Sequence, residues 1–247
     1  MTIGSTTDLT GMRAVGRLVA ETLAVMRAAV RPGITTGELD TAAEGFARPR
    51  GARSAPQLAY DFPGFTCISV NDEIVHGIPG PRRIRAGDVV KLDVTLELEG
   101  YMADSAVTVL VPPVSLEARR LQRCARAALN RALAAAHAGA QLNGIGRAVE
   151  AEVRRSGFAV VRELTGHGIG RRIHEEPSVP NYPDPRTQRV LTDGLVLAVE
   201  PMVTAAPARA VEEPDGWTLR THNRALAVHH EHTIVVRHGA PLVLTAA

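Results

Sequence analysis

Cysteine and lysine are scarce in this sequence of 247 residues, and long apolar runs are missing. The only two cysteines, Cys67 and Cys124, have no close spacing, which argues against a disulfide scaffold and against a zinc site built from clustered thiolates. No apolar run is long enough to cross a bilayer, and the polar residues from Met1 to Thr10 lack the apolar core of a signal peptide. We therefore expect a soluble, cytoplasmic protein with two free thiols.

Neither sign of charge is in large excess. The formal net charge is +2, and Lys91 is the one lysine among 28 basic residues. This balance gives no support for a groove that binds nucleic acid. Because 45% of the residues are hydrophobic, the chain can bury a sizeable core, and we expect one domain over residues 1–247 that begins with a short extension, residues 1–8.

Segments with helical periodicity alternate with strand-like segments along the chain. Apolar residues recur at helical spacing in four segments, residues 9–30, 36–46, 115–137 and 145–156. Pro32 and Gly33 end the first helix, and the hydroxyl of Thr36 is predicted to cap the second. Strands are predicted at residues 158–161, 195–203 and 231–236, together with a β-hairpin over 89–111.

A weak internal repeat divides the chain into two halves. Arg31 to Ile34 and the helix that follows resemble His137 to Ala140 and the helix after them. Each copy comes after a long amphipathic helix, and each half also has strand pairs that contain acidic residues. This pattern predicts an α+β fold of two pseudo-symmetric halves, residues 9–112 and 113–240, that face each other. Chance similarity between helices rich in alanine and glycine is the alternative.

Two acidic residues, Asp93 and Asp104, interrupt the apolar arms of the predicted hairpin. A turn at Glu99 and Gly100 places these two acids nearly opposite one another. Like charges in such positions destabilise a sheet, and a carboxylate among apolar residues is costly to desolvate. Lys91 lies two residues away on one arm and does not fit between them, whereas a metal ion does.

The second half has the same unusual feature at Glu200 and Glu231, which interrupt or open apolar strands. Two divalent cations carry the four positive charges that four carboxylates require, and carboxylate-bridged ion pairs are known in aminopeptidases. His167 adds one imidazole, and its flanking glycines allow the backbone to approach closely. Oxygen ligands with one nitrogen favour Mn, Fe, Co or Zn over Mg or Ca.

Each of these residues taken alone has a simpler interpretation. A single strand aspartate such as Asp93 is usually a surface or turn residue, and a histidine flanked by glycines such as His167 is more often part of a loop. The segment Gly166 to Gly170 also has the glycine spacing of a phosphate-binding loop, but it lacks the preceding strand and the following acid of that motif. The joint occurrence of all five residues favours a metal site.

The sequence resembles the type 1 methionine aminopeptidases, which have the creatinase-like "pita-bread" fold, with a central curved antiparallel sheet and helices on its outer face. The resemblance extends from Arg13 to Val236, and a long insertion between His174 and Glu231, typical of type 2 enzymes, is missing. The matching segments keep the order and gaps of the family, and they are VNDEIVHGIP at 70–79, LDVT at 92–95, DS at 104–105, GHGIGRRIHEEP at 166–177, VEPMV at 199–203 and EHTIV at 231–235.

This resemblance implies a dinuclear metallo-exopeptidase that removes the N-terminal methionine from nascent, deformylated polypeptides whose second residue is small. It implies a monomer that works in the cytoplasm, with the ribosome as an expected place of action. Its implied metal ligands are Asp93, Asp104, His167, Glu200 and Glu231, with Asp104 and Glu231 bridging two ions. Its implied catalytic residues are His76, His174 and Glu200, of which the two histidines also contact the substrate.

The same resemblance implies a methionine side-chain pocket formed by Phe62, Cys67, His76 and Trp217. A soft, partly aromatic pocket suits a thioether. The alternative is that Phe62, Trp217 and Cys67 are ordinary core residues. The sequence departs from the family at His229 and His230, where a glutamine and an aromatic residue are usual, so we expect an altered pocket wall or an added pH dependence there.

Two rival functions belong to the same fold. A proline-directed aminopeptidase or dipeptidase shares the five-ligand pattern and differs mainly in its pocket. A non-catalytic binding module would have lost its metal ions, although all five ligand residues are present in this chain. Release of methionine from Met-Ala-Ser peptides, compared with cleavage of Ala-Pro peptides, separates the first rival, and metal analysis separates the second.

Overall fold

The computed structural model describes residues 1–246. Its α-helices are α1 (Thr6–Ala29), α2 (Thr36–Ala47), α3 (Ala55–Tyr60), α4 (Leu116–Ala135) and α5 (Asn143–Arg155). The four helices predicted from the sequence therefore form within a few residues of their expected ends. The cap of α2 was placed one residue too late, because the hydroxyl of Thr35 accepts the hydrogen bond from Glu38 N and the Glu38 side chain bonds back to Thr35 N.

Short strands alternate with these helices. Their bounds are β1 (Arg53–Ser54), β2 (Cys67–Val70), β3 (Glu73–Val75), β4 (Val89–Leu98), β5 (Tyr101–Leu110), β6 (Ala159–Val160), β7 (Thr165–Gly168), β8 (Glu175–Pro180), β9 (Val196–Val199), β10 (Met202–Thr204), β11 (Ala210–Glu212), β12 (Leu219–Thr221), β13 (Ala227–His229), β14 (His232–Val235) and β15 (Leu242–Val243). The predicted hairpin is β4 and β5, with Glu99 and Gly100 in left-handed conformations at its turn.

The strands form two larger and two smaller sheets, and the pairings between these strands are antiparallel. In the first large sheet β4 pairs with β5 on one edge and with β1 and β2 on the other. The second has the order β15-β14-β9-β7-β8. The smaller sheets have the orders β13-β10-β6 and β11-β12-β3. This mixed arrangement of antiparallel sheets and helices confirms the predicted α+β class.

Buried apolar side chains form two main clusters. One contains residues of α1, α2 and the β4–β5 hairpin, because the apolar stripe of α1, from Met12 to Met26, packs on these strands. The other contains residues of α4, α5, β9 and β10. Within residues 1–246, no helix has the length and apolar character needed to cross a membrane.

Candidate metal centre

Asp93 and Asp104 lie on the two strands of the β4–β5 hairpin. Asp93 pairs with Ala106 and Asp104 pairs with Thr95, so the two acids are diagonal neighbours and not directly opposite one another. The offset of two residues keeps both side chains on the same face of the sheet. Both line one cavity of about 770 Å³.

Hydroxyl groups hold this hairpin against the second half of the chain. Thr233 Oγ1 accepts a hydrogen bond from Asp104 N at 2.9 Å and donates one to Asp104 O at 2.7 Å. Ser105 Oγ donates to Glu231 O at 2.7 Å, and Glu231 N donates to Ala106 O at 3.0 Å. These four bonds place Glu231 beside Asp104, although the two residues are distant in sequence.

Glu200 and Glu231 each lie at a break between two strands. The predicted strand over residues 195–203 is divided at Glu200 and Pro201, since proline has no backbone N–H to donate to a sheet. Asn181 Nδ2 donates to Glu200 O at 3.0 Å. Glu231 separates β13 from β14. Both acids line the cavity that also contains the hairpin acids.

His167 lies in β7, where it pairs with Ala198 of β9. A Cβ atom at Gly166 would lie 2.4 Å from Ala198 O, and one at Gly168 would lie 2.3 Å from Glu176 O. Only glycine therefore permits β7 to approach its neighbours so closely. The geometry does not support the alternative of a phosphate-binding loop, because Gly166 to Gly168 belong to strand β7 and not to a loop.

The predicted ligands meet in one place. His167 Nε2 lies 3.4 Å from Glu200 Oε1. Asp104, His167 and Glu231 each offer one ligand atom within 4.8 Å of the other two. Asp93 lines the same cavity as these four residues.

The carboxylates repel one another in a desolvated setting. Burial raises the pKa of Asp93 well above its ordinary range, and the charges of Asp104 and Glu200 raise it further. Burial also raises the pKa of Glu200 to about 8 and that of Glu231 well above its ordinary range. Among residues 1–246, Asp104 Oδ1 and Glu231 Oε1 are buried without a hydrogen-bond donor. Buried oxygens of this kind fit divalent cations as their missing partners.

The single lysine does not compensate these charges. Lys91 Nζ is buried and donates to Asn71 O at 2.8 Å. Burial lowers the pKa of Lys91 to about 7, and the acids that act on it most strongly are Glu73 and Asp72, which lie outside the carboxylate cluster. Metal ions therefore suit the carboxylate cluster better than the Lys91 ammonium group does.

His76 and His174 line the same cavity. His76 has a φ of 58°, in the left-handed region, and precedes Gly77, where a Cβ atom would lie 2.3 Å from a backbone oxygen. Tyr60 Oη lies 2.6 Å from His174 Nδ1, and the His174 ring centroid is 4.4 Å from that of His167. Burial lowers the pKa of both His76 and His174, which favours neutral rings.

The sequence predicted a methionine side-chain pocket that includes Phe62, Cys67 and Trp217. The Phe62 and Trp217 rings contact edge to face, with centroids 5.1 Å apart. Cys67 is buried and pairs with Asp93 in the register of β2 and β4, and burial raises the pKa of its thiol well above the ordinary range. None of the three is among the residues that line the carboxylate cavity, so their contact with a substrate stays a prediction.

His229 lies closer to the carboxylates than the sequence suggested. Its Nε2 is 3.4 Å from Glu200 Oε2 and 3.8 Å from Glu231 Oε2, and burial lowers its pKa to about 4. His230 instead lines a second cavity, of about 440 Å³. Neither histidine is among the residues that line the larger cavity. The sequence offered one signal for this position, namely that His229 lies two residues before the predicted ligand Glu231.

Known proteins resemble this chain over its whole length. Residues 10–238 match the model of metallopeptidase family M24. The chain is 40% identical over 247 residues to "Methionine aminopeptidase 2" of Bacillus subtilis (strain 168), with 99% of each chain covered. The solved methionine aminopeptidase from Rickettsia prowazekii superposes with a TM-score of 0.95 at 35% identity, with 100% of each chain covered.

A more distant structure shares the fold alone. The prolidase from Pyrococcus furiosus superposes with a TM-score of 0.79 at 20% identity, covering 98% of this chain and 65% of that one. The pita-bread fold expected from the sequence is therefore confirmed by its solved neighbours. The family model and the full-length relatives show that this chain belongs to metallopeptidase family M24, among the methionine aminopeptidases.

Proposed function

We propose that this protein is a metal-dependent aminopeptidase that removes the N-terminal methionine from polypeptides whose second residue is small. The observation that carries the proposal is the convergence of four carboxylates and one imidazole in a single cavity, with buried oxygens that have no donor within residues 1–246. Relatives named methionine aminopeptidases support the choice of methionine.

The proposed ligands are the five residues of the sequence pattern, Asp93, Asp104, His167, Glu200 and Glu231. We assign bridging positions to Asp104 and Glu231. In support, Glu231 belongs to both groups of side chains that can hold an ion, one with Asp104 and His167 and the other with Glu200 and His229. Two ions chosen from Co, Mn, Fe and Zn suit an oxygen-rich set that includes imidazole.

When bound, divalent ions supply Lewis-acid activation of a water molecule and of the scissile carbonyl. Glu200 accepts the proton that the attacking water loses and returns it to the leaving amine. We assign the Tyr60 hydroxyl as the hydrogen-bond donor to His174 Nδ1, 2.6 Å away, which places the proton of the neutral ring on Nε2. His174 can then donate a hydrogen bond to the developing oxyanion, and His76 contacts the substrate beside it.

The methionine side chain is proposed to contact Phe62, Cys67, His76 and Trp217. The edge-to-face pair of Phe62 and Trp217 offers an aromatic surface, and thioether sulfur packs favourably against aromatic rings. The proposed substrates are nascent chains that have lost their formyl group. We further propose that the protein acts on them as a monomer, in the cytoplasm and near the ribosome.

Peptide cleavage with and without metal tests this proposal. Met-Ala-Ser should lose its methionine when Mn²⁺, Fe²⁺ or Co²⁺ is supplied, and chelation with EDTA should abolish the release. Ala-Pro peptides should stay intact, and their preferred cleavage would indicate the proline-directed alternative. A protein that takes up no metal ion and cleaves no peptide after metal addition would indicate the non-catalytic binding module.

Asp104→Asn tests the metal centre itself at nearly constant volume. We expect turnover to fall by more than about 100-fold. Loss of a bridging ligand should lower activity more than replacement of a residue that only hydrogen-bonds to a ligand. Asp193→Asn, at an acid that is 41% exposed, is the control. Turnover near that of the control at limiting metal would overturn the assignment of Asp104.

A further inference from the structure

His229 is a buried side chain that lacks a hydrogen-bond partner. It is 1% exposed, and neither Nδ1 nor Nε2 has a partner in the described part of the chain. Its backbone is fixed on both sides by Thr108, whose Oγ1 accepts from His229 N at 3.0 Å and donates to His229 O at 2.7 Å. An imidazole is costly to bury unpaired, so a fixed ring in this state indicates a missing partner.

The distances around His229 suit a shared ion better than a hydrogen bond. Nε2 lies 3.4 Å from Glu200 Oε2 and 3.8 Å from Glu231 Oε2. Hydrogen bonds from a ring nitrogen to oxygen are usually about 2.7–3.2 Å long. Two ligands bound tetrahedrally at about 2.1 Å from one ion lie about 3.4 Å apart.

His167 and His229 flank the same carboxylate in equivalent ways. His167 Nε2 lies 3.4 Å from Oε1 of Glu200, and His229 Nε2 lies 3.4 Å from Oε2 of the same group. The geometric argument that makes His167 a ligand therefore applies equally to His229. One ligand atom from each of Glu200, His229 and Glu231 also lies within 4.8 Å of the other two, so these three residues can hold an ion by themselves.

We propose that His229 is a sixth ligand of the metal centre, coordinating through Nε2 the ion that Glu200 and Glu231 hold. This assignment rests on the metal-dependent function proposed above and adds to it a second imidazole. A neutral ring adds coordination without disturbing the balance between four carboxylates and two divalent cations. A second nitrogen ligand shifts the preference of the site towards Zn²⁺ and Co²⁺ and away from Mn²⁺.

Counting the imidazole ligands tests the assignment directly. Pulsed electron paramagnetic resonance detects the remote nitrogen of each imidazole bound to Cu²⁺, supplied at one equivalent to the full chain. In His167→Gln, where His229 is the remaining imidazole of the proposed ligand set, one bound imidazole is expected. None is expected in the double variant His167→Gln/His229→Gln, since glutamine retains a polar side chain but no ring nitrogen. The double variant His167→Gln/His230→Gln is the matched control and should retain one. A His167→Gln spectrum without a bound imidazole overturns the proposal.

Metal selectivity gives a second measurement. Calorimetric titration of His229→Gln should show Zn²⁺ affinity lowered by about 10-fold or more, and Mn²⁺ affinity by less than about 3-fold. Equal affinities in both proteins would overturn the assignment. Release of methionine from Met-Ala-Ser by a wild-type chain whose His229→Gln variant binds Zn²⁺ equally well would refute the sixth ligand alone, whereas a wild-type chain that binds no divalent cation would refute the proposed function as well.

Discussion

The Glu200→Gln substitution removes one buried carboxylate from the cluster at nearly constant volume. Without metal, the folded state raises the pKa of Glu200 from its ordinary 4.5 to about 8. The folded chain thus holds a proton that the unfolded chain releases between these pH values. The stability that this group contributes is complete below pH 4.5 and is lost as the pH rises towards 8, a change of at most about 5 kcal/mol.

Opposite effects are expected with and without metal. In EDTA at pH 8 the variant should be at least as stable as the wild-type protein, because glutamine carries no charge to repel its neighbours. It should also lose less stability than the wild-type protein between about pH 5.5 and pH 8. With saturating Mn²⁺ the order should reverse, since metal at about 100 times its dissociation constant stabilises an intact site by about 2.7 kcal/mol.

Urea unfolding at both pH values, in EDTA and in Mn²⁺, measures these differences as shifts of the unfolding midpoint. Glu21→Gln is the matched control, because Glu21 lies on the exposed face of α1. Its free energy of unfolding should follow that of the wild-type protein throughout. A Glu200→Gln protein that is less stable than the wild-type protein at pH 8 both with and without metal would refute the reasoning, since Glu200 would then be a structural residue.

Further substitutions test the framework of the site. Thr233→Val should cost about 2–4 kcal/mol of unfolding free energy, because it leaves Asp104 N and O unpaired. Thr233→Ser keeps the hydroxyl and should cost about 1 kcal/mol. Equal urea midpoints for the two variants would contradict a stabilising role for the Thr233 clamp, the pair of hydrogen bonds between Thr233 Oγ1 and the Asp104 backbone. Gly166→Ala should lower the melting temperature, with a cost of about 1–3 kcal/mol or more, because the added Cβ atom meets Ala198 O at 2.4 Å. Gly45→Ala should raise the melting temperature, because open space surrounds this position in α2 and alanine is the better helix former by about 1 kcal/mol. A lower melting temperature for this variant would show that the added methyl group is crowded after all.

Local patterns in the sequence predicted much of the fold. The β4–β5 hairpin follows from alternation and from the Glu99–Gly100 turn, and a hairpin necessarily places Asp93 and Asp104 near one another. The helices follow from apolar spacing, with the capping error of one residue at Thr35. The acidic residues within apolar strands predicted that a cation was needed, since burial of unpaired carboxylates is costly in any fold.

The sequence by itself thus determined the local elements and the chemical type of the site, because both depend on neighbouring residues and on the cost of buried charge. Only the tertiary structure decided how the second half meets the first. The Thr233 clamp on Asp104 depends on pairing between distant strands, as do the break at Glu200 and the approach of His229 to that carboxylate. Such long-range pairing is set by the packing of whole sheets, which no short segment specifies.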